Sequence, residues 1–204
     1  MYQFFKRCFD FVGSLLILII ISPIFMVLSI AVRINLGSPI LFKQERTGLG
    51  MKIFKIMKFR TMSNKKDADG HLLPDHLRVT KLGIFLRSSS LDELPELINI
   101  LVGDMSFIGP RPLPASYNAY YMEKEKARFN VRGGLIPPDS VDPSPIISWD
   151  KQFEYESEYG QNVSLINDIK IIFGVFRILF KRNTEDYGSF ERKALSEERK
   201  DMTE

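Results

Sequence analysis

The sequence predicts an α+β fold, mostly helical, built from an N-terminal re-entrant membrane helix-break-helix, a short β-hairpin and interfacial amphipathic helices around a small domain. Three observations carry that expectation. An uncharged apolar run extends from Phe11 to Val32, apolar and polar residues alternate on both sides of Thr47-Gly48-Leu49-Gly50, and leucines and isoleucines recur at helical spacing from Leu91 to Leu101. At 204 residues and 45% hydrophobic content, the chain suffices for one sizeable domain but not for two of average size. The expected divisions are a membrane anchor over 1–36, a globular domain over 37–182 and a charged tail over 183–204.

In the apolar run, Ser22-Pro23 falls at the middle, where proline removes a helical hydrogen bond and collides with the preceding turn. Each arm of roughly ten residues reaches only about 15 Å, half the hydrocarbon thickness. Three forms fit: a wedge that enters and leaves one leaflet, a kinked spanning helix, and a cleaved signal peptide. Both flanks are basic, with Lys6 and Arg7 before and Arg33, Lys43 and Arg46 after, which favours the wedge facing an anionic leaflet. The Ser22 hydroxyl can take a backbone carbonyl that the bend frees.

Residues 39–62 read as a hairpin and 63–81 as a polar surface loop, where His71 and His76 lack the further ligands of a metal site. The spacing predicts helices over 91–102, closed by Gly103, and over 114–130. A Gly- and Pro-rich loop follows over 132–145, then an apolar-rich helix over 163–182, edged by charges and suited to a membrane interface. The charged residues after Asn183 suggest an exposed tail. A single cysteine, Cys8, excludes an intrachain disulfide and fits a cytosol-facing domain. The net charge of +3 is too small to mark a nucleic-acid protein, and no reading motif is present, so no nucleic-acid partner is expected.

The chemistry centres on "SSSLDELPELINILVGDMSFIGPRP". Ser90-Leu91-Asp92-Glu93 fits a capping box, which alone would account for the two carboxylates. Its surroundings suggest more. Arg87 precedes the pair, Arg111 stands between two prolines, and Lys58 and Arg60 come from the hairpin; such cations suit a phosphate or pyrophosphate. Two carboxylates among them make sense if one attacks phosphorus and the other holds Mg2+, a hard cation that takes one or two carboxylates plus phosphate oxygens.

Taken in order, "KR.FD" (Lys6, Arg7, Phe9, Asp10), Ser22-Pro23, "LFKQERTGLG", "FKIMKFRTM", the Asp92-Glu93 stretch and "SWDKQFEYESEYGQNVSLINDIKII" resemble the bacterial sugar transferases, small monotopic polyprenol-phosphate phosphoglycosyl transferases. The resemblance implies transfer of a phospho-sugar from a UDP-sugar to undecaprenyl phosphate, with release of UMP, as the opening step of capsule, O-antigen, exopolysaccharide or glycoprotein-glycan assembly. It implies Asp92 as nucleophile, Glu93 as Mg2+ ligand, and Arg87 and Arg111 as phosphate-facing residues. Ser22-Pro23 becomes the membrane helix break. The implied setting is the bacterial inner (plasma) membrane, with a catalytic domain on the cytoplasmic face and the cytosolic leaflet as a partner; a homodimer stays open.

Where many relatives carry Arg-Pro-Gly-Ile-Thr-Gly before a Trp, this chain keeps Arg132 but has Gly133 for the Pro and Pro137-Pro138 for the Thr-Gly. That loop bears on donor preference, and Arg132 joins the substrate-binding candidates. Two other readings stand beside this one: a membrane-tethered scaffold whose dyad is only a cap, and a glycosyltransferase that would release UDP.

Overall fold

The structure, a computed structural model, describes residues 1–144, 147–181 and 192–200. In chain order it forms α1 (Tyr2–Leu36), β1 (Leu41–Thr47), β2 (Ile53–Phe59), α2 (Asp75–Arg78), α3 (Lys81–Ser88), α4 (Glu96–Val102), β3 (Met105–Ile108), β4 (Gly133–Ile136), α5 (Trp149–Gln161), α6 (Leu165–Lys181) and α7 (Leu195–Glu198). The chain is mostly helical, with β1 and β2 paired in one small sheet and β3 and β4 in another. It divides into two compact units.

One unit takes Phe11–Gln44 and Lys55–Val102. Helical assignment runs uninterrupted through Ser22-Pro23, so the break expected there is not seen as a gap in the helix. The reason is local. Pro23 has no N–H for the Ile19 carbonyl four residues back, and Ser22 Oγ donates to that carbonyl at 2.8 Å. Leu28, Val32, Phe59 and Leu86 form the buried core of this unit. Gly83 allows α3 to approach the chain closely, since a Cβ there would lie 1.9 Å from the Thr61 carbonyl oxygen. Asn99 is fully buried and ties α4 to β2, donating to Lys55 O and accepting from Met57 N, both at 2.9 Å.

The other unit takes Met1–Asp10, Glu45–Phe54 and the chain from Gly103. β3 and β4 run parallel, with Met105 opposite Gly133 and Ile108 opposite Ile136. Leu113, Tyr121, Phe129, Trp149, Phe153 and Leu195 form its aromatic core. Asp168 on α6 is a buried anchor for the N-terminus: Lys6 Nζ donates to it at 2.6 Å, and the Tyr2 and Tyr159 hydroxyls each donate at 2.5 Å. Asp10 Oδ1 accepts from Phe107 N at 3.1 Å. Lys6, counted from the sequence in a basic flank facing an anionic leaflet, is therefore spent on an internal pair.

Several expected elements differ. Residues 91–102 form a 3-10 turn, Leu91–Glu93, and then α4, because Pro95 offers no N–H to the Leu91 carbonyl. Residues 114–130 form two 3-10 segments, Ala115–Tyr120 and Glu123–Asn130, parted where extended Tyr121 drops into the aromatic core. The polar loop after Met62 contains α2 and two isolated bridges, Met62 with Val79 and Lys66 with Leu72. The loop from Arg132 contains β4. Of the expected tail, residues 183–191 and 201–204 lie outside the described residues; Arg192–Lys200 is docked rather than exposed, with Leu195 wholly buried and Arg199 paired to Glu125 at 2.8 Å.

Candidate active site

Asp92 and Glu93 stand together on the Leu91–Glu93 turn, which is entered through Ser90 at φ 56°. That left-handed backbone takes the Ser90 side chain out of capping, and no side-chain cap bond forms. The turn closes through its backbone, Glu93 N donating to Ser90 O at 3.2 Å. The expected capping box is thus absent. The Glu93 carboxylate does not reach back; Lys58 Nζ from β2 donates to Glu93 Oε1 at 2.6 Å and lies 3.1 Å from Glu96 Oε1.

Asp92 is half-buried, and loss of hydration pushes its carboxyl above the ordinary range. Lys58 and Arg87 pull it down while Glu93 pushes it up. Arg87, in the last turn of α3, is held by one bond, Nε to Thr61 Oγ1 at 3.0 Å, and its side chain is otherwise exposed. Asp92, Glu93, Lys58 and Arg87 therefore gather in one unit, two carboxylates with cations beside them.

Arg60 belongs to the same unit but turns inward. It is 6% exposed, and its Nη2 donates to the Leu36 carbonyl at the C-terminal end of α1, where the helix dipole favours a cation. Its Nε and Nη1 lack partners among the described residues, and burial lowers its pKa. Arg111 and Arg132 belong to the other unit. Arg111 is exposed at its side chain, and Arg132 Nε donates to Gly103 O at 2.8 Å. The chain's departure at Gly133 has a packing counterpart, since a Cβ there would lie 2.4 Å from Pro112 Cγ, beside Arg111.

Two features, one in each unit, were missed in the sequence. One is the bridging role of Lys58 between Glu93 and Glu96. The other is the buried pair Arg128 and Glu156, at 1% and 0% exposure. The available signal was polar Gln152 and Glu156 four apart on the same face of α5 as Trp149 and Phe153, an apolar face with charge in it.

The family model of the bacterial sugar transferases matches residues 1–182, and the chain belongs to that family. It is 42% identical over 167 residues to an uncharacterized sugar transferase, EpsL, of Bacillus subtilis, covering 82% of this chain and 83% of that protein. It is 38% identical to the UDP-glucose:undecaprenyl-phosphate glucose-1-phosphate transferase of Klebsiella pneumoniae, covering 83% of this chain and 38% of the relative. Against the undecaprenyl-phosphate galactose phosphotransferase of Salmonella typhimurium it is 32% identical, covering 89% and 41%. The chain thus spans about two-fifths of the length of these two relatives that carry named substrates.

Proposed function

We propose that the chain moves a sugar phosphate from a UDP-sugar to undecaprenyl phosphate at a membrane surface, through a covalent intermediate on Asp92. In the first step an Asp92 carboxylate oxygen attacks the sugar-bearing phosphorus, the bond from that phosphorus to the bridging oxygen breaks, and UMP leaves. In the second, a phosphate oxygen of undecaprenyl phosphate attacks the same phosphorus and the Asp92 carboxylate is returned. Partial burial strips water from the nucleophile and raises its pKa, a rise that Lys58 and Arg87 oppose.

Glu93 suits Mg2+. Its side chain is 26% exposed, one oxygen is on Lys58, and Mg2+ takes one or two carboxylates with substrate oxygens and water rather than a closed protein cage. Bound there, the ion would neutralise charge gathering on the departing phosphate. Arg87 would hold phosphate oxygens, and the family resemblance gives the same task to Arg111 and Arg132; Arg60, buried and turned inward to the Leu36 carbonyl, does not suit it.

The acceptor keeps its tail in lipid, and the apolar surface of α1 fits membrane association: Ile20 and Ile34 are 75% and 78% exposed. On α6, Ile166, Phe173 and Phe176 are exposed as well, which supports the interfacial reading of that helix. Bending at Pro23 would return both ends of α1 to the cytosolic leaflet, for proline kinks a helix without ending it.

One observation carries the reading: the family's acidic pair sits on a turn with no capping duty, with a lysine on one carboxylate and an arginine in the field of the other. The test is a screen of UDP-sugars with undecaprenyl phosphate and Mg2+, scored for nucleotide. UMP is expected; UDP would indicate sugar transfer without phosphate. Asp92→Asn should remove UMP release by about a thousandfold or more while leaving the chain folded and membrane-bound. Full turnover in that variant would end the nucleophile assignment.

A further inference from the structure

Arg111 lies in Pro110-Arg111-Pro112, and the fold satisfies each backbone polar group of that tripeptide. Prolines carry no N–H, so Arg111 provides the one backbone donor, and Glu156 Oε1 accepts from it at 2.8 Å. The Pro110 carbonyl accepts from Gly134 N at 2.9 Å, and the Pro112 carbonyl from Arg46 Nη1 at 3.2 Å. Between them, the Arg111 carbonyl accepts from Arg128 Nη2 at 2.6 Å.

Glu156 and Arg128 grip both sides of the Arg111 peptide and are bonded to each other, Arg128 Nε donating to Glu156 Oε2 at 2.8 Å. The pair is locked from behind. Arg128 Nη1 donates to the Tyr121 hydroxyl at 2.8 Å, and its guanidinium lies 5.0 to 5.3 Å from the ring centres of Tyr121, Phe129 and Phe153. Gln152 Nε2 donates to Glu156 Oε1 at 3.0 Å, and Arg192 Nη2 fixes that amide by donating to Gln152 Oε1 at 2.9 Å.

A buried ion pair is seldom the cheapest way to fill a core, since apolar residues of like volume do as well or better. What apolar residues cannot do is offer an acceptor to the N–H and a donor to the C=O of one residue, at a fixed separation. Meanwhile the Arg111 side chain is exposed. The fold thus immobilises the backbone of a cation whose head is left open to solvent.

The geometry points to Arg128 and Glu156 as positioning residues that set the Arg111 guanidinium toward a substrate diphosphate. This rests on the reading of Arg111 as phosphate-facing. Both residues act through Arg111 and touch no substrate themselves. A shift of about an ångström in such a clamp is enough to cost a hundredfold in rate.

The test is a double-mutant cycle on the full chain in detergent, read both as kcat and KM for a UDP-sugar and as affinity for UDP by calorimetry. Glu156→Gln keeps the shape but turns an amide N–H either on the Arg128 guanidinium or on the Arg111 N–H and the Gln152 amide. Arg128→Met with Glu156→Leu fills the same volume without charge and guards against a variant that merely unfolds; cooperative thermal unfolding certifies both. Each is expected to lower kcat/KM by roughly 10- to 100-fold, and by less than about 3-fold once Arg111 is already Ala, as coupled residues do. Arg128→Lys, which keeps charge but not the fork, should not rescue.

Losses that multiply in the Arg111→Ala background would overturn the clamp, as would wild-type kinetics in the Met/Leu variant. If the wild-type chain releases no UMP from any UDP-sugar, the proposed reaction falls instead, and UDP affinity alone judges the clamp. Weakening in Glu156→Gln that disappears in Arg111→Ala would sustain it. Equal affinity across all four proteins of the Glu156→Gln and Arg111→Ala cycle would remove it.

Discussion

Lys58 shows how one side chain can serve fold and site together. Its ammonium bridges Glu93, on the Leu91–Glu93 turn, and Glu96, which is almost fully buried in α4. Lys58→Met removes that cation from both carboxylates and should cost roughly 1–3 kcal/mol of stability, with turnover falling at least about tenfold as Glu93 loses its anchor. Denaturant midpoints and UMP release measure the two effects, and Lys58→Arg should restore more of the stability than of the rate. An unchanged midpoint in Lys58→Met would show the bridge to be idle. Asp139 offers a separate test. Burial, and then repulsion from Glu156, pushes its carboxyl up to about 6, and its Oδ1 has no hydrogen-bond partner among the described residues. The folded chain thus holds this proton more tightly than the unfolded chain, whose carboxyl titrates near 3.8. The stability it contributes is full below about pH 4 and lost as pH rises through about 6. Asp139→Asn should therefore stabilise by about 1–2 kcal/mol at pH 7.5 and by almost nothing at pH 4, read from thermal midpoints at the two values. A gain equal at both would exclude titration as its source.

At the scale of elements, the segment Arg192–Lys200 lies beyond the residues that the family model matches, yet it packs as core. Leu195 is fully buried among Trp149, Phe153 and their neighbours, Arg192 lies 3.4 Å over the Trp149 ring, and Arg199 pairs with buried Glu125. Leu195→Ala should cost about 2–5 kcal/mol in chemical denaturation, the range for emptying a leucine site. A cost under about 0.5 kcal/mol would mean the segment is not docked in solution. The composition of this stretch concealed that role, because a charge-rich run reads as solvated until each cation is matched to a distant acceptor. The same blindness hid β4, whose two glycines carry no periodicity but permit close approach, as a Cβ at Gly134 would lie 2.1 Å from Gly109 N. What was legible was local: the β1–β2 hairpin from its alternation, α6 from its charge-edged apolar run, and the cationic company of Asp92 and Glu93 in Lys58 and Arg87. The capping box misled because the sequence shows its four residues but not the left-handed backbone at Ser90 that disables it. Arg128 and Glu156 were hidden for a third reason, since their meaning lies in a backbone contact made 17 and 45 residues away.

For the molecule as a whole, length does not decide how α1 meets the bilayer. The uncharged stretch from Phe11 to Val32 would reach about 33 Å if straight, enough for a hydrocarbon core of about 30 Å. Connectivity is more telling. Met1–Asp10, before that stretch, and Glu45–Phe54, after it, belong to the same compact unit. Leu49 lines one small cavity together with Lys6, Arg7 and Asp10. If the apolar stretch crossed the bilayer, residues 33–44 would have to cross back to bring Leu49 there. They include Arg33 and Lys43 and the first residues of a two-stranded sheet, and neither charge nor open strand edges are tolerated in lipid. We therefore propose that the apolar stretch returns to the side it left, or lies in the interface, with Pro23 as the place to bend. Exposed Cys8 precedes the stretch, and exposed Asn64 follows it. Cys8 in the native chain, and Asn64→Cys in a Cys8→Ser background, should both react with a membrane-impermeant maleimide in inside-out vesicles and neither in intact cells. Labelling of the two positions from opposite faces would establish a spanning helix, and would require the packing of Leu49 beside Lys6 to be abandoned with it.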